Sequence, residues 1–140
     1  MLNVMTESDF DFLERIKEVI TSRSVLSDYK DTLSYRTGIR IGKGLASAVI
    51  LPKTLLELWK IINICVEFNK IIIMQAANTG LTGGSTPDGD NYDRDVVIIN
   101  TLNLDDLIVI NEGRQIIAFP GTTLYQLEKR LSTIGRSPHS

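Results

Sequence analysis

Four apolar residues, Ile71-Ile72-Ile73-Met74, run directly into Gln75-Ala76-Ala77-Asn78-Thr79-Gly80-Leu81-Thr82-Gly83-Gly84-Ser85-Thr86-Pro87. No other junction constrains the fold as strongly. The first part is a strand, and the second is too rich in small residues to continue it. Three of the loop residues are glycine, and no side chain in the loop is charged. With so little side-chain bulk, main-chain N–H groups can approach an anion closely. Capture of a phosphate or diphosphate by backbone amides, helped by small hydroxyls, is the chemistry that suits such a segment. The same composition also serves a plain flexible connection between strands.

The remaining chain fits an alternating pattern around this junction. Leu13, Ile16 and Ile20 share one face of an N-terminal helix, with Ser8 as its cap and Asp9 and Asp11 in its first turn. A second, short helix is expected over residues 31–36, before the glycines at 38, 42 and 44. Residues 46–51 read as a strand stopped by Pro52. Thr54 and Glu57 have capping-box spacing for a helix over 55–68. Its expected apolar face carries Leu55, Leu58, Trp59, Ile62, Cys65 and Val66.

Residues 71–74 then form a strand expected to be buried on both sides, and 96–99 form another. A hairpin is expected over 107–110 and 115–119. Thr123 and Gln126 open a last helix that runs to about Ser132. The fold class is therefore α+β (α/β), a helical N-terminus followed by a mixed sheet flanked by helices. The expected division is a helical N-terminal extension over 1–44 and a domain over 45–140. The chain stops soon after its last helix, without a return strand, as a fragment would.

Composition excludes several classes. A net charge of −2 leaves no basic stripe for nucleic acid. A hydrophobic fraction of 43% is enough for a core, so disorder is not expected. Residues 1–11 hold no apolar signal segment, and charged or amide residues interrupt every long apolar stretch. The single cysteine, Cys65, cannot form an internal disulfide and falls on a helix face as a core residue.

Known site patterns fail on particular residues. Gly38-Ile39-Arg40-Ile41-Gly42-Lys43-Gly44 is one residue short of a Walker loop and has Gly44 where a hydroxyl is needed. The run from Asp88 begins like a calcium loop but has Asp93 in place of the turn glycine and Ile99 in place of the last ligand. His139 has no visible acid partner, so no catalytic triad and no metal site are expected. Asp105-Asp106 and Glu128-Lys129 read as solvated surface.

Residues 74–87 resemble the pyrophosphate loop of FAD-binding domains of the p-cresol methylhydroxylase (vanillyl-alcohol oxidase) type. Tyr35-Arg36, residues 55–59, 92–99, 119–125 and 127–129, Gly135-Arg136 and residues 138–140 are similar in register to the bacterial quinone-dependent D-lactate dehydrogenase family. The resemblance implies a respiratory flavoprotein that oxidises D-lactate to pyruvate and passes electrons through FAD to a membrane quinone. It implies a peripheral place on the cytoplasmic side of the bacterial inner membrane. Ala76, Ala77, Asn78, Thr79 and Gly80 would wrap the diphosphate of the flavin nucleotide, with Gly84 and Ser85 closing the loop. Binding would be non-covalent, since the loop has no His or Cys.

In that family the FAD domain continues into a second flavin-contacting stretch and a substrate domain. The resemblance therefore assigns no catalytic residue to this chain. The isolated chain is expected to bind FAD weakly or not at all, to be inactive alone, and to self-associate through uncovered apolar surface. Two alternatives stay open at this point. One is a related FAD-dependent dehydrogenase of another 2-hydroxy acid such as glycolate. The other is a non-catalytic α/β module that binds an anionic nucleotide.

Overall fold

The computed structural model describes residues 7–138. The readings made at residues 1–6 and at His139 and Ser140 lie outside them. Ten helices and strands are used here: α1 Glu7–Lys17, β1 Val25–Leu26, α2 Tyr29–Thr32, β2 Ala48–Ile50, α3 Leu55–Glu67, β3 Ile71–Gln75, β4 Val96–Asn100, β5 Leu107–Ile110, β6 Gln115–Ala118 and α4 Leu124–Ser132.

β2, β4 and β3 are parallel, and β1 adds antiparallel to β2, giving the order β1-β2-β4-β3. The sheet is thus mixed, as the α+β reading requires. Parallel strands need crossovers, and α3 carries the chain from β2 to β3, which lie on either side of β4. Register places Ala48 opposite Val97, Ile50 opposite Ile99 and Ile72 opposite Val97. That face meets Phe12, Leu13, Ile16 and Ile20 from the N-terminal segment and Ile61, Ile64 and Cys65 from α3. The alternate residues Val49 and Ile98 are also fully buried, so the central strands are covered on both sides.

Several local expectations change on packing. β3 is an edge strand and is only half-buried, whereas β4 is buried throughout. The apolar run 71–74 had been expected to be buried on both sides, but only β4 covers one of its edges. On α3 the core side is Ile61, Ile64 and Cys65, while Leu55, Trp59 and Val66 face outward. Ser8 lies inside the described α1 rather than capping it.

The short second helix falls at Tyr29–Thr32, earlier than expected. The Thr32 hydroxyl donates back to the Asp28 carbonyl at 3.0 Å, and the Arg36 side chain takes the Tyr29 carbonyl at 3.0 Å. Past Thr32 the chain tightens into shorter turns, with the Leu33 amide on the Lys30 carbonyl at 3.3 Å and the Tyr35 amide on the Thr32 carbonyl at 3.1 Å. Thr54 does cap α3 by accepting from the Glu57 amide at 3.1 Å. Glu57, however, reaches past Thr54 to the Lys53 amide at 2.7 Å, so the box is not reciprocal. The box at Thr123 and Gln126 is reciprocal, as expected.

β5 and β6 form a separate two-stranded antiparallel sheet, with Ile108 paired to Ile117. Ile108, Ile110 and Ile117 are exposed on it. No helix among the described residues is long and apolar enough to cross a membrane.

Candidate functional site: a glycine-rich loop with free main-chain donors

The loop leaves the sheet at the carboxyl end of β3, where parallel α/β sheets place their ligands. Its root is a buried amide pair. Gln75 and Asn100 end neighbouring strands and lie in register. Gln75 Nε2 donates to the Tyr35 carbonyl at 2.8 Å and to the Ser85 carbonyl at 2.7 Å. Asn100 Nδ2 donates to Gln75 Oε1 and to the Ala76 carbonyl, both at 3.0 Å. Asn100 Oδ1 accepts from the Leu102 amide at 3.1 Å, so both amide groups are well satisfied. One side chain, Gln75, thus ties the two ends of the loop to each other and to Tyr35.

Farther out, Asn78 takes a left-handed φ of 53°. Its Nδ2 donates to the Thr37 carbonyl at 3.0 Å, and its Oδ1 accepts from Ser85 Oγ at 2.9 Å. These two side chains shape the loop from within and are not the outward donors that composition suggested. Ala77, Thr79 and Gly80 are exposed, Ala76 and Ser85 are half-buried, and Gly84 is exposed.

The decisive feature is in the main chain. Among the described residues, no N–H from 76 to 85 donates a hydrogen bond to the protein. Gly80 and Gly84 have neither a left-handed φ nor any atom within 4 Å of a built Cβ. The protein's own packing therefore gives no reason for glycine at either place. Gly42 is different: its φ is +90° and a Cβ would overlap Thr86 Oγ1, so glycine there serves the fold.

The turn over residues 36–44 lies against this loop. Ile41 packs on Gly83, and the Gly89 amide donates to the Lys43 carbonyl at 2.9 Å. The turn carries Arg36, Arg40 and Lys43, so cations flank a loop that has no charge of its own. Cavities of about 370 and 360 Å³ lie elsewhere, one beside the hairpin and the end of α4 and the other between α1 and α3. The glycine-rich loop presents an open face rather than a closed pocket. No nucleophile stands at it. Cys65 is in the core, where burial pushes its thiol up to about 12 against the opposing Lys70 charge.

Sequence reading placed the seven loop residues together but missed Gln75, Asn100 and the turn at 36–44. A usable signal was present: two apolar strands each end in a primary amide side chain.

The family model described as FAD binding domain matches residues 46–139. The chain belongs to the FAD-binding domain family. Within this family it is 53% identical over all 140 residues to the quinone-dependent D-lactate dehydrogenase of Escherichia coli (strain K12), of which it covers 24%. It is 52% identical over 128 residues to the Haemophilus influenzae protein of the same name, covering 23% of it. The chain thus spans about a quarter of the length of these curated relatives. A crystal structure of p-cresol methylhydroxylase with substrate bound superposes with a TM-score of 0.73 at 16% identity, over 94% of this chain and 26% of that one. The FAD-binding domain fold expected from the loop is therefore the fold observed.

Proposed function

We propose that this chain is the diphosphate-holding part of a respiratory flavoprotein that oxidises D-lactate to pyruvate and delivers the electrons to a quinone. The substrate assignment rests on the 53% identity to the Escherichia coli relative across the whole chain. The cofactor assignment rests on one structural observation, the run of undonated amides from 76 to 85. Amides with no partner in the protein are donors for an anion.

FAD, when bound, accepts the hydride equivalent that leaves the lactate carbon. The chain's own residues hold and orient. The N–H groups of Ala76, Ala77, Asn78, Thr79 and Gly80 would hold the diphosphate, with those of Gly84 and Ser85 closing the loop. Gly80 and Gly84 leave the space that a phosphate needs. Binding is non-covalent, because residues 75–87 contain no His or Cys. Residues 45–140 act as the first subdomain, with residues 1–44 as an N-terminal extension whose described part adds α1, α2 and the strand β1 to it. The intact protein sits on the cytoplasmic face of the inner membrane, where a lipid-soluble quinone is reached. The exposed Ile108, Ile110 and Ile117 favour self-association of the chain in isolation.

The test uses Gly80→Ala and Gly84→Ala. Both sites are open and free of left-handed φ, so each substitution is expected to leave thermal stability unchanged or to raise it by about 0.4–1 kcal/mol. FAD affinity, read by calorimetry or flavin fluorescence, is expected to fall about tenfold or more as charge-assisted donors are blocked. Variants that keep wild-type affinity would remove the loop from the cofactor site.

A further inference from the structure

Arg36 is the largest fully buried side chain in the structure, 1% exposed, and among the described residues it has no carboxylate partner. Its guanidinium donates only to neutral acceptors. Nε reaches Thr32 Oγ1 at 3.0 Å, one terminal nitrogen reaches the Gly44 carbonyl at 2.8 Å, and the other reaches the Tyr29 carbonyl at 3.0 Å. The group also lies 4.2 Å from the centre of the Tyr29 ring. These contacts satisfy geometry and some donors, but they leave a full positive charge inside the protein. Buried charges are ordinarily paired, because removal from water is costly.

The place of this charge is informative. The two carbonyls that hold the glycine-rich loop belong to its chain neighbours, Tyr35 and Thr37. A second loose end lies at the same spot. Thr37 Oγ1 is the only buried side-chain N or O atom among the described residues without a hydrogen-bond partner. An unpaired cation and an unpaired hydroxyl thus belong to consecutive residues of the segment whose carbonyls brace a loop of undonated amides. A multiply charged oxyanion at the loop would take up the amides and balance the buried charge from a distance.

We propose that Arg36 is the fixed counter-charge of the diphosphate site, acting through the field it projects into the loop rather than through loop shape alone. At an effective dielectric of about 20, a unit charge roughly 10 Å from an anion changes its affinity by about tenfold. The inference rests on the reading of the loop as a diphosphate site. Arg36 is a positioning residue: its guanidinium is enclosed, so it touches no ligand atom in this arrangement.

The experiment follows the Arg36 Nε–H signal and the amides of 76–85 together, in isotope-labelled chain titrated with inorganic pyrophosphate. Arg36 is expected to shift with the same midpoint as the loop amides. Loop amides that move while Arg36 stays still would overturn this inference alone. Loop amides that stay still would overturn the loop reading and this inference with it. Arg36→Gln removes the charge and keeps a donor. In it, FAD affinity is expected to fall about tenfold, while affinity for riboflavin, which has no phosphate, stays as in wild type. Arg36→Lys is expected to recover part of the FAD loss. An equal fall for both ligands, or none for either, would mean that Arg36 only supports the turn. If the Gln variant does not fold, the wild-type titration decides.

Discussion

Gln75→Leu is expected to cost about 2–4 kcal/mol of stability and to release the glycine-rich loop. Leucine fits the volume but offers nothing to the Tyr35 and Ser85 carbonyls, and it deprives Asn100 of one of its two acceptors. Gln75 is 2% exposed, so water does not reach the vacated position freely. Leaving buried polar partners unmade costs more than making them gains. The measurement is urea unfolding of the variant beside wild type. A second readout separates fold from site: amide signals of 76–85 should broaden or move while those of β4 stay in place. A loss below about 1 kcal/mol would show that solvent substitutes for the Gln75 amide.

Lys70→Met is expected to destabilise by about 3 kcal/mol or more. The Lys70 side chain is 4% exposed, with Nζ at 2.8 Å from Asp9 and 2.7 Å from Asp95. It also lies over the Phe12 ring, and Phe12 packs edge-on against Phe68. Lys70 precedes β3 and Asp95 precedes β4, so this ion cluster pins α1 to the start of the two strands that aim the site. Methionine fills similar space and removes the ammonium that both carboxylates share. The loss falls toward the low end of the buried-pair range because the Asp95 side chain is 45% exposed and keeps water.

The triple change Asp9→Asn, Lys70→Met, Asp95→Asn is expected to recover much of the loss, since the penalty lies in the carboxylate charge that Lys70 no longer balances. A neutral single variant would contradict this account. The pH dependence has a definite sign. Burial pulls the Lys70 ammonium down, but hydrogen bonds and charge from Asp9 and Asp95 outweigh it, and its pKa lies above the ordinary lysine range. The folded chain therefore holds this proton more tightly than the unfolded chain. The contribution is complete below about pH 10, the ordinary lysine value, and is lost as pH rises through the raised pKa.

The parts legible in the sequence were those set by local chemistry. The reciprocal cap at Thr123, the hairpin around residues 111–114 and the junction at 74–75 each announce themselves over a few residues. What was not legible depended on partners distant in the chain. Ile71-Ile72-Ile73-Met74 and Val96-Val97-Ile98-Ile99 are equally apolar, so only pairing reveals that the first is the edge and the second the centre. α3 is apolar on most sides, and its inward face follows from where α1 lies rather than from its own period. β1 is two residues long, below any periodic signal. At the site, composition identified the loop, but its side-chain roles were partly reversed. Asn78 and Ser85 turn inward to brace it, and the groups left without protein partners are main-chain N–H.

The most direct test is a titration of the isotope-labelled chain with FAD, followed at every backbone amide. The account predicts that the N–H signals of 76–80, 84 and 85 move together toward the shifts of hydrogen-bonded amides, with one common midpoint, while those of the β5–β6 hairpin do not. Saturable shifts that appear only outside residues 75–87 would contradict it.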